Sequence, residues 1–201
     1  MQTTKKLYNL QSLNFLQNTT LKVGILGGSF DPAHRGHYLI STWALKAYNF
    51  DYIIWLVANQ NPFKRRYAHD INQRGRRALL IARGHPKIIV TRAEGDLGAT
   101  YTYDSLKTLK KRFPSVCFTL LMGMDNTVHF HKWYKFEAIT RLCNIIIFDR
   151  PVRTRLVNNS LFALKLKPVI DKNKTGSIII DRGGQLIPIS SSEINKTNII
   201  D

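Results

Sequence analysis

Residues 21–37 read LKVGILGGSFDPAHRGH, and the order of events inside this stretch decides the fold. Residues 21–26 (LKVGIL) are nearly all apolar, without the alternation of a half-exposed strand, so they read as a buried strand. That strand runs into a glycine-rich turn, GGSFDP, and a helical pattern follows over residues 35–48. The same alternation continues outward. Residues 52–57 (YIIWLV) form a second strand, and a loop with a basic end, ANQNPFKRR, follows it. Residues 71–83 read as a helix with Ala78, Leu79 and Ile81 as candidates for its buried face. Residues 87–91, 116–122 and 144–148 read as further strands, with helices over 103–112 and 127–139 between them. Continuous apolar strands alternating with helices predict an α/β protein with a parallel sheet and helices on both faces. Helix-linked parallel strands are expected to cross over right-handedly. After Pro151 the rhythm breaks down, though residues 177–180 are candidates for a sixth strand. No internal repeat and no linker divides the chain.

Bulk composition bounds the answer without choosing it. The chain has 201 residues, 44% of them hydrophobic, which is enough for one compact domain with a real core. Thirty Lys and Arg against thirteen Asp and Glu give a net charge of +17. Such a surface attracts phosphates of any kind, so nucleic acid and free nucleotides both fit it. Cys117 and Cys143 lie in apolar runs and read as two buried strand cysteines, which predicts a reduced, cytoplasmic setting. No 18-residue apolar run is present, so no membrane span is expected. The first residues lack the continuous apolar core of a secretion signal. Leu7, Leu10, Leu13 and Leu16 recur every three residues, which fits a short leading helix or a loose tail.

In an open α/β sheet, ligands bind beyond the carboxyl ends of the strands. The first such end carries Gly27, Gly28, Ser29 and Phe30, then His34 and His37. Two glycines let a ligand approach the backbone. The helix start that follows offers unpaired N–H groups and a positive dipole end, which suits phosphate. His34 and His37, three residues apart, share one face there and can donate hydrogen bonds to a phosphoryl group as charge builds during transfer. Read singly, these signals are weak. A double glycine is usually only a turn, and two histidines without a third ligand do not make a metal site. The glycines do not fit G-x-G-x-x-G, and no G-x-x-x-x-G-K-[ST] occurs, so a dehydrogenase and a P-loop enzyme lose ground.

The whole string is more specific than its parts. GGSFDPAHRGH closely resembles the GG[ST]FDPxHxGH signature of the family of nicotinate- and nicotinamide-mononucleotide adenylyltransferases, in the strand–turn–helix context that signature requires, and the SFDP form and positive charge lean towards the acid, nicotinate. Other segments resemble the family's motifs in order. These are Asn61-Pro62-Phe63-Lys64, the run from Thr100 to Leu106 (TYTYDSL), Gly123-Met124-Asp125-Asn126 with Trp133-Tyr134, Arg150-Pro151, and Ser190-Ser191-Ser192-Glu193-Ile194. The resemblance covers about residues 21–196 and implies a Rossmann-like nucleotidylyltransferase fold. It implies an N-terminal tail over 1–20 and a single nucleotidylyltransferase domain over 21–201. It also implies a reaction, the transfer of AMP from ATP to nicotinate mononucleotide to give nicotinate adenine dinucleotide and pyrophosphate, in NAD biosynthesis. On this resemblance Gly27, Gly28, Ser29 and Phe30 hold ATP through their backbone, with His34 and His37 at its phosphates and Asp125 on the adenosine side. Ser190, Ser191 and Ser192 complete the ATP site, and Lys64 neutralises phosphate. Thr102, Trp133 and Tyr134 hold the pyridine nucleotide. Mg²⁺ is expected to ride on the triphosphate, with no dedicated protein cage.

Trp133 also has a plain structural reading as a core aromatic, and Lys64-Arg65-Arg66 one as a solvated basic face. The final motif departs from the family's ISSTxIR, because Asn195 stands where an arginine is usual and Lys196 follows it. That departure keeps one alternative in view, a nucleotide-binding module with a lapsed site, and the +17 charge keeps another, a basic nucleic-acid-binding protein. A nucleic-acid reader should show a recognition helix or stacked aromatics beside cations, and neither is legible. A homo-oligomer is compatible with the sequence.

Overall fold

The computed structural model describes residues 6–59, 69–148 and 176–181. Six strands form one parallel sheet: β1 (Lys22–Gly28), β2 (Tyr52–Val57), β3 (Ile88–Thr91), β4 (Cys117–Gly123), β5 (Asn144–Phe148) and β6 (Ile178–Asp181). The order across the sheet is β3-β2-β1-β4-β5-β6 and every pairing is parallel. This is the doubly wound order, whose direction of growth reverses between β1 and β4.

The helices are α1 (Arg35–Tyr48), α2 (Ile71–Ile81), α3 (Ala93–Asp96), α4 (Thr102–Arg112), α5 (Met124–Phe130) and α6 (Phe136–Leu142). Side chains alternate along each strand between two cores. Trp55, Ile53, Val57, Val90, Leu121 and Phe148 meet Ile40 and Ala44 of α1 and Ala78 of α2 on one face. Ile25, Ile54, Leu120, Ile145 and Ile147 meet Leu106 and Leu109 of α4, Phe130 of α5 and Ile139 of α6 on the other. The sheet is therefore covered on both faces, which is why its strands read as unbroken apolar runs.

Several local expectations need correction. The single helix expected over 127–139 is two, α5 and α6, separated by a corner in which Lys135 adopts a left-handed backbone with φ 51°. The corner lets both Trp133, at 5.3 Å between ring centroids, and Phe136, at 6.0 Å, pack edge-on to Phe130. α2 turns Arg74, Gly75 and Ala78 inward, whereas Leu79 and Ile81 are only half buried. Gly75 packs closely there, since a Cβ would come within 2.7 Å of the Leu7 side chain and force it to shift. Cys117 is exposed, and Cys143 is buried at the end of α6 rather than in a strand. Burial pushes the Cys143 thiol up to about 11. Near the N-terminus, residues 11–16 form a 3₁₀ turn whose Leu13 and Leu16 are fully buried. Complete burial of such a side chain contributes roughly 1.5–3 kcal/mol. Tyr8 bridges to Thr91 beside β3, so this segment lies against the edge strand.

Candidate functional site

The loop between β1 and α1 is shaped by interactions on its protein side. Phe30 has φ 50°, an uncommon backbone for a residue with a Cβ. Its ring compensates by burial, stacked on Trp55 with centroids 5.3 Å apart and planes 15° apart. The same ring lies 4.7 Å from the His37 ring. Phe30 is thus a floor for His37. The Asp31–Pro32 peptide is cis, and Asp31 accepts from or pairs with His69 Nδ1 at 2.9 Å. Gly27 is exposed, its φ is not left-handed, and a Cβ there would meet no atom within 4 Å. Among the described residues, neither strain nor packing demands glycine at 27.

The two histidines cap α1 reciprocally. His34 is the N-cap, and its Nδ1 accepts the Gly36 N–H at 3.1 Å. His37 Nδ1 accepts the His34 N–H at 3.2 Å. The rings lie 3.9 Å apart. A ring nitrogen that accepts an N–H carries no proton, so in the neutral rings the proton sits on Nε2. The cap therefore orients two imidazoles with Nε2–H as the donor, at the positive end of a fourteen-residue helix.

Beneath this loop is a charged residue that sequence reasoning missed. Arg74 is 1% exposed although it sits in a helix rich in surface cations. Its guanidinium donates to the carbonyls of Ser29 at 2.7 Å, Ala58 at 2.8 Å and His69 at 3.0 Å. Glu94, on the one-turn helix α3, is also buried. Its carboxylate accepts the Asn59 N–H at 2.7 Å and the Ser105 hydroxyl at 2.9 Å. Burial raises its pKa, and the two hydrogen bonds and the Arg74 charge pull the other way. No local signal marks either residue, since a charge in an amphipathic or loop-like window reads as solvated.

Asp125 is the second residue of α5, directly beyond the end of β4. Because β1 and β4 are neighbours, Asp125 and the Gly27–Phe30 loop flank the crevice where the strand order reverses. Thr102 opens α4, and its neighbour Tyr101 lies 4.7 Å from the ring of Tyr134. The start of α4 and the α5–α6 corner are thereby brought together through Tyr101, Tyr103 and Tyr134, while Trp133 turns to Phe130. Tyr134 is 43% exposed, whereas Trp133 is half buried and packs on the core. Both readings of Trp133 thus have a foothold. The ammonium of Lys135 sits over the rings of Tyr103 at 4.9 Å and Tyr134 at 5.0 Å, a cation that the sequence alone did not single out. Lys64, the Asn61–Phe63 stretch, Arg150, Pro151, Ser190, Ser191, Ser192, Asn195 and Lys196 lie outside the described residues. Among the described residues, no three His, Cys, Asp or Glu side chains converge as a metal cage, and no helix is long and apolar enough to cross a membrane.

Comparison with known proteins agrees with this architecture. Residues 25–197 match the cytidylyltransferase-like family model. A protein of Pelagibacter ubique named "Probable nicotinate-nucleotide adenylyltransferase" is 35% identical over 187 residues, 91% of this chain and 97% of that one. A protein of the same name from Cereibacter sphaeroides is 42% identical over 129 residues, 64% of this chain and 69% of that one. The fold is similar to that of Plasmodium falciparum nicotinic acid mononucleotide adenylyltransferase complexed with NaAD. That match has a TM-score of 0.65 at 21% identity and covers 88% of this chain and 83% of that one. The chain belongs to the cytidylyltransferase-like family and, within it, to the nicotinate-nucleotide adenylyltransferases.

Proposed function

We propose that this protein transfers AMP from ATP to nicotinate mononucleotide, releasing pyrophosphate and forming nicotinate adenine dinucleotide. The observation that supports the reading is the reciprocal His34–His37 cap, which occupies Nδ1 of both imidazoles and leaves Nε2 as the protonated ring nitrogen at the start of α1. A phosphate oxygen of the mononucleotide attacks the α-phosphorus of ATP. The bond from that phosphorus to the bridging oxygen breaks, and pyrophosphate departs with the electron pair. No protein nucleophile is needed, so catalysis is positioning plus stabilisation of charge.

In this scheme Gly27, Gly28, Ser29 and Phe30 present backbone to the triphosphate, and His34 and His37 donate to its oxygens. Asp125 takes the adenosine side. Thr102, Trp133 and Tyr134 take the pyridine nucleotide, and Lys64, Ser190, Ser191 and Ser192 complete the phosphate contacts. A divalent cation, Mg²⁺ in our reading, supplies charge neutralisation on the triphosphate. Backbone N–H groups and imidazoles suit a metal carried by the substrate better than one caged by the protein. The test is to incubate the protein with ATP and either nicotinate or nicotinamide mononucleotide and to measure pyrophosphate and dinucleotide. Rapid product with the acid is the expected result. Absence of dinucleotide with both acceptors overturns the reading.

A further inference from the structure

We propose that Glu94 and Arg74 are a buried pair of positioning residues that fixes the phosphate loop against the start of α4, and so sets the two substrates at reacting distance. The proposal rests on the adenylyltransferase reading above. It starts from where the hydrogen bonds go. Arg74 joins Ser29, inside the Gly27–Phe30 loop, to Ala58 beyond β2 and to His69 before α2. The Ala58 N–H in turn donates to the Gly28 carbonyl at 2.9 Å. The ends of β1 and β2 are thereby stitched together. The next residue, Asn59, donates its N–H to Glu94, whose other oxygen holds Ser105. Ser105 lies one helical turn into α4, three residues after Thr102. A continuous chain of contacts thus runs from the β1–α1 loop through β2 and α3 to the helix that carries Thr102.

Both ends of the chain are ionic and both lie in the interior, at 1% exposure for Arg74 and 6% for Glu94. Buried charges are a poor way to gain stability, because the loss of their hydration offsets most of what their partners return. They are a good way to fix direction, since the fork of an arginine and the two oxygens of a carboxylate each bind several partners at set angles. A transfer reaction between two bound nucleotides is sensitive to such settings, and a 1 Å displacement costs on the order of 10²-fold in rate. Glu94 and Arg74 would act on the substrates only through Ser29, Asn59 and the start of α4.

The test uses Glu94→Gln and Ser105→Ala in the full chain. A positioning role predicts that Glu94→Gln lowers kcat by about tenfold or more while its Tm at neutral pH holds or rises, because a penalised buried charge has gone. ATP alone should bind within twofold of the native Kd by calorimetry, and KM for the mononucleotide should rise. Ser105→Ala, which keeps the carboxylate, should shift the same constants by a smaller factor. Unchanged kcat and KM in both variants overturn the proposal, as does a fall in kcat that merely tracks a lowered Tm. If Glu94→Gln does not fold, native kinetics in Ser105→Ala overturn it alone. A native protein that makes no dinucleotide removes the functional reading itself, an outcome separate from any difference between variants.

Discussion

At the scale of single residues, the histidines of the β1–α1 loop cap α1 through Nδ1 and, in the proposed function, would donate through the other ring nitrogen. His37 Nδ1 caps the His34 N–H, while its other nitrogen is the candidate donor to phosphate. His37→Ala should lose the donor, at a cost of ~10²–10³-fold in turnover. It should also lose the cap, a contribution of about 0.5–2 kcal/mol. His37→Asn keeps an acceptor near the cap position, so it should retain most stability and still lose turnover. Steady-state rates with denaturant midpoints check this, and near-native turnover in either variant counts against the mechanism. Glu94 gives a pH prediction whose sign can be worked out. Burial raises its pKa in the folded protein above the ordinary 4.5. Its contribution to stability is therefore full below about that value and is lost as pH rises through the folded pKa. The Tm of Glu94→Gln minus that of the native protein should grow as pH rises from 4.5 towards neutrality and then level off. A difference that is flat across that range contradicts the assignment.

At the scale of elements, the corner between α5 and α6 carries most of what a periodic reading missed. An expected single helix over 127–139 would put Phe130, Trp133 and Phe136 on one face by spacing alone. The chain instead breaks at Lys135, buries Phe130, and leaves Trp133 half covered and Tyr134 open. This predicts a split between neighbours. Trp133→Ala should weaken mononucleotide binding and also lower Tm, because the indole packs against Phe130. Tyr134→Ala should weaken mononucleotide binding with little change in Tm, since its ring is exposed and lies tilted against Tyr101 at the surface. By analogy with base stacking, each ring is expected to contribute about 1–3 kcal/mol to binding. Calorimetry with the mononucleotide and separately with ATP decides it; an equal loss for both ligands would make the cluster structural. α3 was missed for a simple reason: four residues, AEGD, are too short for a helical period to show.

At the scale of the whole molecule, the last described strand is held to the first helix. Asp181 of β6 accepts from the Trp43 indole N–H and the Tyr48 hydroxyl, both at 2.8 Å. Burial, reinforced by the Asp181 carboxylate, raises the Tyr48 pKa well above 10.0. Stability from this tyrosine is thus present below pH 10 and is lost at more alkaline pH as the folded form ionises. Hydrogen bonds to a charged group contribute about 1.5–3 kcal/mol each, so Asp181→Ala should lower the denaturant midpoint clearly. Absorbance titration should also find Tyr48 ionising nearer its ordinary value in that variant. An unchanged titration would mean that burial alone holds the phenol.

The sequence by itself determined the architecture and the first half of the candidate site. Residues 21–37 contain a whole strand, turn and helix start, and apolar runs against helical periods record which elements are covered on both sides. Those signals are local: the strand read over 21–26 forms over Lys22–Gly28, taking in the two glycines read as turn, and the helix read over 35–48 forms there. The strand order 3-2-1-4-5-6 and the side on which each helix lies were decided only in three dimensions. So were the buried charges. Arg74 looks like one more cation of a basic helix until carbonyls 45 and 16 residues away, from Ser29 and Ala58, converge on it. Glu94 looks solvated until Asn59, 35 residues away, needs an acceptor. A buried charge is tolerated only where partners from distant segments replace its water, and no window of sequence contains those partners.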